Sequence, residues 1–405
     1  KVLPVCDASI DDVVVGLHTM LQPNSTWRIV QLDFSARIIA PHMKSLSELL
    51  ARCLFLKSLN IDHNSLSYLE FLDLCTGLKH CTMLSTLSLR GNKISTYPAD
   101  DQQQHQTYVI EHCTPALTTF DLSFNHVGDD VFSEILNRMV TGPLLKVLNL
   151  SCNSIGNLGA QRLAGVLYRC PSLEYVNLHR NRIGNDGVHY LASSLVQCSR
   201  LTRLVVGSNP FFSMALEELL QALTQLSFFT TFEIRGWNGR VGERYSGQSF
   251  TSHSASYLAQ CTALSSLDIS FNYINYEDMP HLCTILSQCT ALKILNLNSI
   301  HFVEDDDDLW DAAFVYFMCA LRSCLGIQEL YFRSSMFLEH SRNVPEAMSI
   351  ALANMSSLAV LDLNDNLITC EDISMNSHHE SFGTTLQELH LKCHDLELEG
   401  VRFLV

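Results

Sequence analysis

The sequence predicts an α/β solenoid: thirteen or fourteen short repeats, each a strand with a returning helix. Parallel strands line a concave face and helices line the convex one. Three observations predict it. The phrase Leu145-Lys146-Val147-Leu148-Asn149-Leu150-Ser151-Cys152-Asn153-Ser154-Ile155 reads LxxLxLxxNxI, and returns 28 residues later as Leu173, Val176, Leu178, Asn181 and Ile183. The apolar spacing then switches from two to three and four, as in Leu163, Leu167 and Cys170, which is the change from strand to helix. The period also runs through the whole chain. Copies start at Ile29, Leu56, Leu84, Leu117, Leu145, Leu173, Leu201, Phe229, Leu264, Leu292, Ile327, Leu358 and Leu386, and a frayed fourteenth precedes them around Leu3, Val5 and Ile10.

Each element follows from the physics of the unit. A strand and helix of this size cannot bury their own apolar faces, so each repeat must cover its neighbour. The Asn at 64, 92, 125, 153, 181, 209, 272 and 366 ends the strand, where an amide side chain satisfies backbone groups left unpaired by the turn. Arg37, Trp237, Ile300, Ser335 and His394 stand there in the other repeats, and interruptions are expected at these points. Strands stack about 4.8 Å apart and helices about 8–10 Å apart, so the stack is expected to bend into a horseshoe.

Two repeats carry a longer signature: Ile155-Gly156-Asn157-Leu158-Gly159-Ala160 and Ile183-Gly184-Asn185-Asp186-Gly187-Val188, followed by Leu163, Ala164, Leu167 and by Leu191, Ala192, Leu195. With these, the chain resembles the leucine-rich repeats of the ribonuclease-inhibitor type over essentially all 405 residues. The resemblance implies an asparagine ladder, protein binding and no active-site chemistry of the fold's own. Proteins that look like this include subunits of ciliary and flagellar complexes such as the dynein regulatory complex. They also include the Ran GTPase activator and the sensor regions of nucleotide-binding immune receptors.

Length alone suggests two or three domains, but the unbroken period argues for a single solenoid over 1–405, with 1–28 a partial N-terminal repeat. Neither end reads as a solenoid cap, which suggests a fragment of a longer chain. A net charge of −16 opposes non-specific binding to nucleic acid or anionic membrane and favours a neutral or basic protein partner. The longest apolar run, Ala312 to Leu321, is about half of what spans a bilayer. Of fifteen cysteines, Cys53, Cys81, Cys170, Cys198, Cys261, Cys289 and Cys324 lie three residues before a repeat start and Cys113 four before. That slot takes a small buried hydrophobe, and so many core thiols suit a reducing, cytoplasmic compartment. No C-x-x-C, P-loop, dinucleotide fingerprint or nucleophile motif occurs, so no cofactor, metal or catalytic residue is expected.

Insertions are expected near 97–106, 236–250, 303–309 and 338–345. The first, Pro98 to His105, is polar. The second, 235–247, holds four glycines, Arg235, Trp237, Arg240, Arg244 and Tyr245. Trp, Tyr and Arg dominate interface hot spots, though Trp237 could equally fold back to seal the repeat edge. The acids Glu304 to Asp308 lack the spacing of a calcium loop and suit the N-terminus of the helix that follows. That helix, 309–321, is apolar almost all round, which makes Trp310, Phe314 and Phe317 candidates to meet a partner. His378-His379-Glu380 reads as loop rather than metal site.

On the concave face, the positions around the paired strand leucines are wet and mixed in charge. Two groups combine aromatics with arginine: Tyr175, His179 and Arg203, joined by Arg235 and the Trp237 loop, and Tyr331 with Arg333. The function expected is a non-enzymatic protein-interaction scaffold within a hetero-complex.

Overall fold

The computed structural model describes residues 15–16, 19, 28–37, 39–95, 115–139, 142–236, 250–303, 315–334, 350–366 and 385–391. The chain divides into two compact units, Lys1–Leu204 and Val205–Val405. Both are built on the same α/β repeat. A three-residue strand begins two residues after every one of the thirteen repeat starts, from Gln31–Asp33 to Glu388–His390.

Within Lys1–Leu204 the strands pair in parallel and in register, so that Leu32, Leu59, Leu87, Phe120, Leu148 and Val176 form one line. Within Val205–Val405 the corresponding line is Phe232, Leu267, Leu295, Leu330, Leu361 and Leu389. The central residue of each strand is buried in nearly every case and its two flanking residues are mostly half-buried, so one sheet face is covered and the other open. Helices such as Tyr68–Leu78, Asn157–Leu167 and Met279–Gln288 cover the inner face with Phe71, Leu163 and Leu282. Burying one such side chain stabilises by about 1.5–3 kcal/mol.

Three sets of side-chain hydrogen bonds fasten neighbouring repeats. In the first, Asn153 accepts from the backbone N–H of Asn125 (3.2 Å) and Val127 (2.9 Å). Its amide donates to the carbonyls of Leu122 and Leu150, both at 3.0 Å. Asn64, Asn92, Asn125 and Asn181 also bond both to their own strand end and to the preceding repeat. In the second, the acid or amide at the helix start accepts from the next repeat, as in Gly156 N–H to Asp129 Oδ1 (2.6 Å) and Gly184 N–H to Asn157 Oδ1 (2.7 Å).

The third set uses thiols. Cys81 Sγ donates to Leu50 O (3.2 Å), Cys198 to Leu167 O (3.8 Å) and Cys324 to Leu286 O (3.3 Å), each a carbonyl of the preceding helix. All seven described cysteines of the slot are buried and none is in a disulfide. Burial pushes these thiols up from their ordinary range to about 11 or 12. Cys113 lies outside the described residues, as do most of 1–28 and the stretches 96–114, 237–249, 304–314, 335–349 and 367–384. The polar insertion, the acidic run and His378-His379 fall there.

The ladder is interrupted at Ile300 as expected: a buried isoleucine takes the amide's place. There the backbone pairs instead, Tyr273–Asn275 against His301–Val303, as a separate two-stranded sheet. Trp237, Ser335 and His394 lie outside the described residues.

Candidate interaction surfaces

The turn that ends each strand is tighter than its sequence suggests. The residue just before the ladder position adopts a left-handed backbone in repeat after repeat: Ala36, His63, Gly91, Phe124, Cys152 and Arg180 in the first unit, and Ser208, Gly236, Phe271, Ser299, Ser334 and Asp365 in the second. Such a backbone costs a non-glycine residue about 1–2 kcal/mol, and a bulky one there is unusual. Phe124 and Phe271 both hold that conformation and both point to solvent. Arg90 lies over the Phe124 ring, 4.7 Å from its centroid. The sequence reading missed this pair; its signal was the glycine at the same slot in two repeats, Gly91 and Gly236.

Many polar residues of the open face have structural partners. The last strand residue accepts from the backbone N–H two positions on: Asp33 from Ser35, Asp121 from Ser123, Asn177 from His179, Asp268 from Ser270 and Asp362 from Asn364, all at 2.8–3.0 Å. This is an Asx turn, which competes with continuation of the strand. Neighbours also link sideways, Asn149 Nδ2 to Asp121 Oδ2 (2.9 Å) and Asn296 Nδ2 to Asp268 Oδ2 (3.1 Å). These acids and amides hold the turn and the edge in place.

The aromatic and arginine residues of the same face make contacts of their own. In the first unit the Arg203 guanidinium lies 4.9 Å from the centre of the Tyr175 ring, from the neighbouring strand. His179, half-buried, ends the same strand turn as Tyr175. In the second unit Arg235 is half-buried beyond Thr231–Glu233, and its Nε is buried with no hydrogen-bond partner among the described residues. Its backbone lies so close to Gly207 that a Cβ there would meet Arg235 O at 2.1 Å. Trp237, Arg240 and Arg244 lie outside the described residues.

Tyr331 and Arg333 are both engaged. The Tyr331 hydroxyl donates to Glu329 Oε2 (2.9 Å). Burial, then that bond, then the charges of Glu329, Glu388 and Asp362 push the hydroxyl up to about 12. Arg333 meets Asp365 through Nε (2.7 Å) and Nη2 (2.5 Å), and its backbone N–H donates to Asn298 Oδ1 (2.7 Å).

The apolar helix needs one correction. Trp310 and Phe314 lie outside the described residues, but in the helical residues 315–321 Phe317 is only 2% exposed and packs inward with Met318 and Leu321. Phe317 is therefore a core residue. An inner stripe and an outer one look alike when every residue is apolar; here the outward residues are Tyr316 and Cys319.

Among the described residues no group of three His, Cys, Asp or Glu side chains could hold a metal ion, and no helix is long and apolar enough to cross a membrane. A family model described as Leucine Rich repeat matches residues 115–130, 143–164, 169–192 and 384–405. Among solved structures the chain is similar to an internalin (inlF) from Listeria monocytogenes, at 16% identity over 97% of this chain and 92% of that one, with a TM-score of 0.42. It is also similar to the leucine-rich repeat domain of APL1B, at 16% identity over 100% and 92%, with a TM-score of 0.40. No curated protein matches the sequence.

Proposed function

We propose that this leucine-rich repeat chain is a non-enzymatic protein-interaction scaffold and a subunit of a large intracellular hetero-complex, such as an axonemal complex of a cilium or flagellum. One observation carries the reading. Tyr175 with Arg203, and Tyr331 with Arg333, are held by ring and ion-pair contacts on a sheet face that the helices leave open. Tyrosine and arginine are the residue types that dominate interface hot spots, and side chains already fixed lose little entropy when a partner arrives. Repeat stacks lend themselves to extended binding surfaces of this kind. The Arg235–Trp237 loop, with Arg240 and Arg244, and the outer face of helix 309–321 are the second and third surfaces of the same reading. The axonemal setting is supported by the resemblance of the repeats alone.

Affinity capture of the tagged chain from its native source, followed by mass spectrometry, tests this. Replacing Tyr175 and Arg203, or Tyr331 and Arg333, with Ala is expected to lower recovery of a stoichiometric partner at least tenfold in one of the two pairs. Undiminished recovery from both would remove the open face from the proposal. Trp237→Ala with Arg240→Ala tests the loop in the same way. Strong stimulation of GTP hydrolysis by Ran would replace the scaffold reading with that of a Ran-type GTPase activator. An ATPase module encoded in the same gene would favour the sensor region of a nucleotide-binding immune receptor.

A further inference from the structure

In Lys1–Leu204 the turns leading from each helix into the next strand lie in a row, because the backbone joins them. Lys57 N–H donates to Val30 O (2.8 Å), Ser85 to Lys57 O (2.9 Å), Thr118 to Ser85 O (2.8 Å), Lys146 to Thr118 O (2.8 Å) and Glu174 to Lys146 O (2.8 Å). The residues two positions earlier therefore also line up, and among them are Phe55, Met83 and Leu144. These are 40%, 42% and 50% exposed, and Leu54 beside them is 56% exposed. A single exposed apolar residue needs no explanation, but a row along one edge does.

The same edge has a charge opposite to that of the molecule. Among the described residues of this edge, 28–30, 50–57, 78–85, 115–118, 142–146, 168–174 and 196–202 contain seven Lys and Arg and one carboxylate, Glu174, in a chain of net charge −16. Helix dipoles account for Arg52, Lys79 and Arg169, which follow helix ends. They do not account for Lys57, which lies on the strand side of the apolar row; Lys146, on the same side, is paired with Glu174 (2.9 Å). Nor do they account for Arg28, whose guanidinium lies 4.5 Å from the centre of the Phe55 ring. The apolar row thus has cations on both sides.

We infer that this edge docks an acidic amphipathic helix from another protein, its apolar stripe on Phe55, Met83 and Leu144 and its carboxylates on the flanking lysines and arginines. Three repeat steps separate Phe55 from Leu144, roughly 15–30 Å between the strand and helix spacings, which is about 10–20 helical residues. A peptide feels only the local field, within about 8 Å at physiological salt. An anionic bilayer meets the negative charge of the whole chain. The preference for neutral or basic partners read from net charge therefore does not extend to this edge. The inference rests on the scaffold reading but uses a different surface from the open sheet face.

The test is selection of a displayed library of random 20-residue peptides against the whole chain. The enriched peptides are expected to be net acidic with Leu or Phe at helical spacing. They are expected to bind at least tenfold more weakly to a chain carrying Phe55→Ser, Met83→Ser and Leu144→Ser, and to one carrying Arg52→Glu, Lys57→Glu and Lys79→Glu. All six positions are exposed, so unchanged thermal melts should accompany the loss. Peptides that are neutral or basic, no enrichment, or binding indifferent to both variants would overturn the inference. So would co-sedimentation with phosphatidylserine vesicles that both variants abolish, which would assign the edge to a bilayer. A chain with Tyr175→Ala and Arg203→Ala should keep the peptides, which separates this outcome from failure of the open face.

Discussion

The two units end their strands with the same turn but fasten it differently. In Lys1–Leu204 the ladder amides at 64, 92, 125, 153 and 181 follow one another repeat by repeat. In Val205–Val405 the amides at 209, 272 and 366 are separated by repeats with Trp237, Ile300 or Ser335 in the slot. Yet Ser299 and Ser334, just before two of the substituted slots, keep the left-handed backbone at φ of 52° and 50°. The turn therefore does not depend on asparagine. The amide supplies hydrogen bonds to a backbone whose shape is set by stacking, and where it is missing the core or an extra backbone pairing takes over.

The largest effect that would break this comparison is expected at Gly207, in the second unit. A Cβ there would lie 2.1 Å from Arg235 O and 2.6 Å from Arg235 N, both backbone atoms that cannot swing aside. Gly207→Ala is expected to destabilise the second unit by about 3 kcal/mol or more, at or above the top of the usual overpacking range, because the clashing atoms are backbone; a shift below about 1 kcal/mol in urea titration would mean that the strands are further apart.

Next comes Asn153→Ala in the first unit, expected to cost about 2–4 kcal/mol because it strands buried donors and acceptors. Amide exchange should speed up at Asn125 and Val127, whose N–H groups lose their acceptor. Ile300→Ala, at the same slot in the second unit, should cost about 2–4 kcal/mol through a cavity, with no such local signature. Equal exchange patterns in the two variants would dissolve the contrast between the units.

Alkaline pH should affect both units alike, since each has buried thiols raised to about 11 or 12. These are Cys53, Cys81, Cys170 and Cys198 in one, and Cys261, Cys283, Cys289 and Cys324 in the other. A folded thiol holds its proton where the unfolded one, near 9, has lost it. The unfolded state then binds fewer protons, so stability falls as pH rises from about 9 towards 11. The urea midpoint of the reduced protein should drop over that window, and less steeply after Cys→Ala replacement at Cys53 and Cys81. At pH 8 a thiol reagent should label Cys319, which is exposed, long before the slot cysteines.

The smallest effect is a gain. Ala36 is exposed with φ of 55°, and Ala36→Gly should stabilise by about 0.5–1 kcal/mol as relief of left-handed strain outweighs the added chain entropy. A loss would show that stacking, rather than φ, sets the preference.

Period and phase made the strands legible. Apolar residues recurring every 28 or so positions have no other economical explanation, and every predicted start is followed by a strand. The thiol slot was legible for the same reason. Three things were not. Left-handed turns leave a trace only where glycine fills them, and ten of the described turns of this kind use other residues. Asx turns look like solvated polar residues, because the accepting oxygen serves the backbone and leaves no sequence period of its own. The inward face of 315–321 could not be read from a helix apolar on both sides, which is why Phe317 was misplaced. The basic edge was hidden by the net charge, which averages over the whole chain.

The most direct test is amide hydrogen exchange of the whole chain, alone and bound to a partner captured from its native source. The scaffold reading predicts slowed exchange at the strand turns following Tyr175 and Arg203, or Tyr331 and Arg333, with the helix backbones unchanged. Slowing confined to the helices, with the open face exchanging as in the free chain, would contradict it.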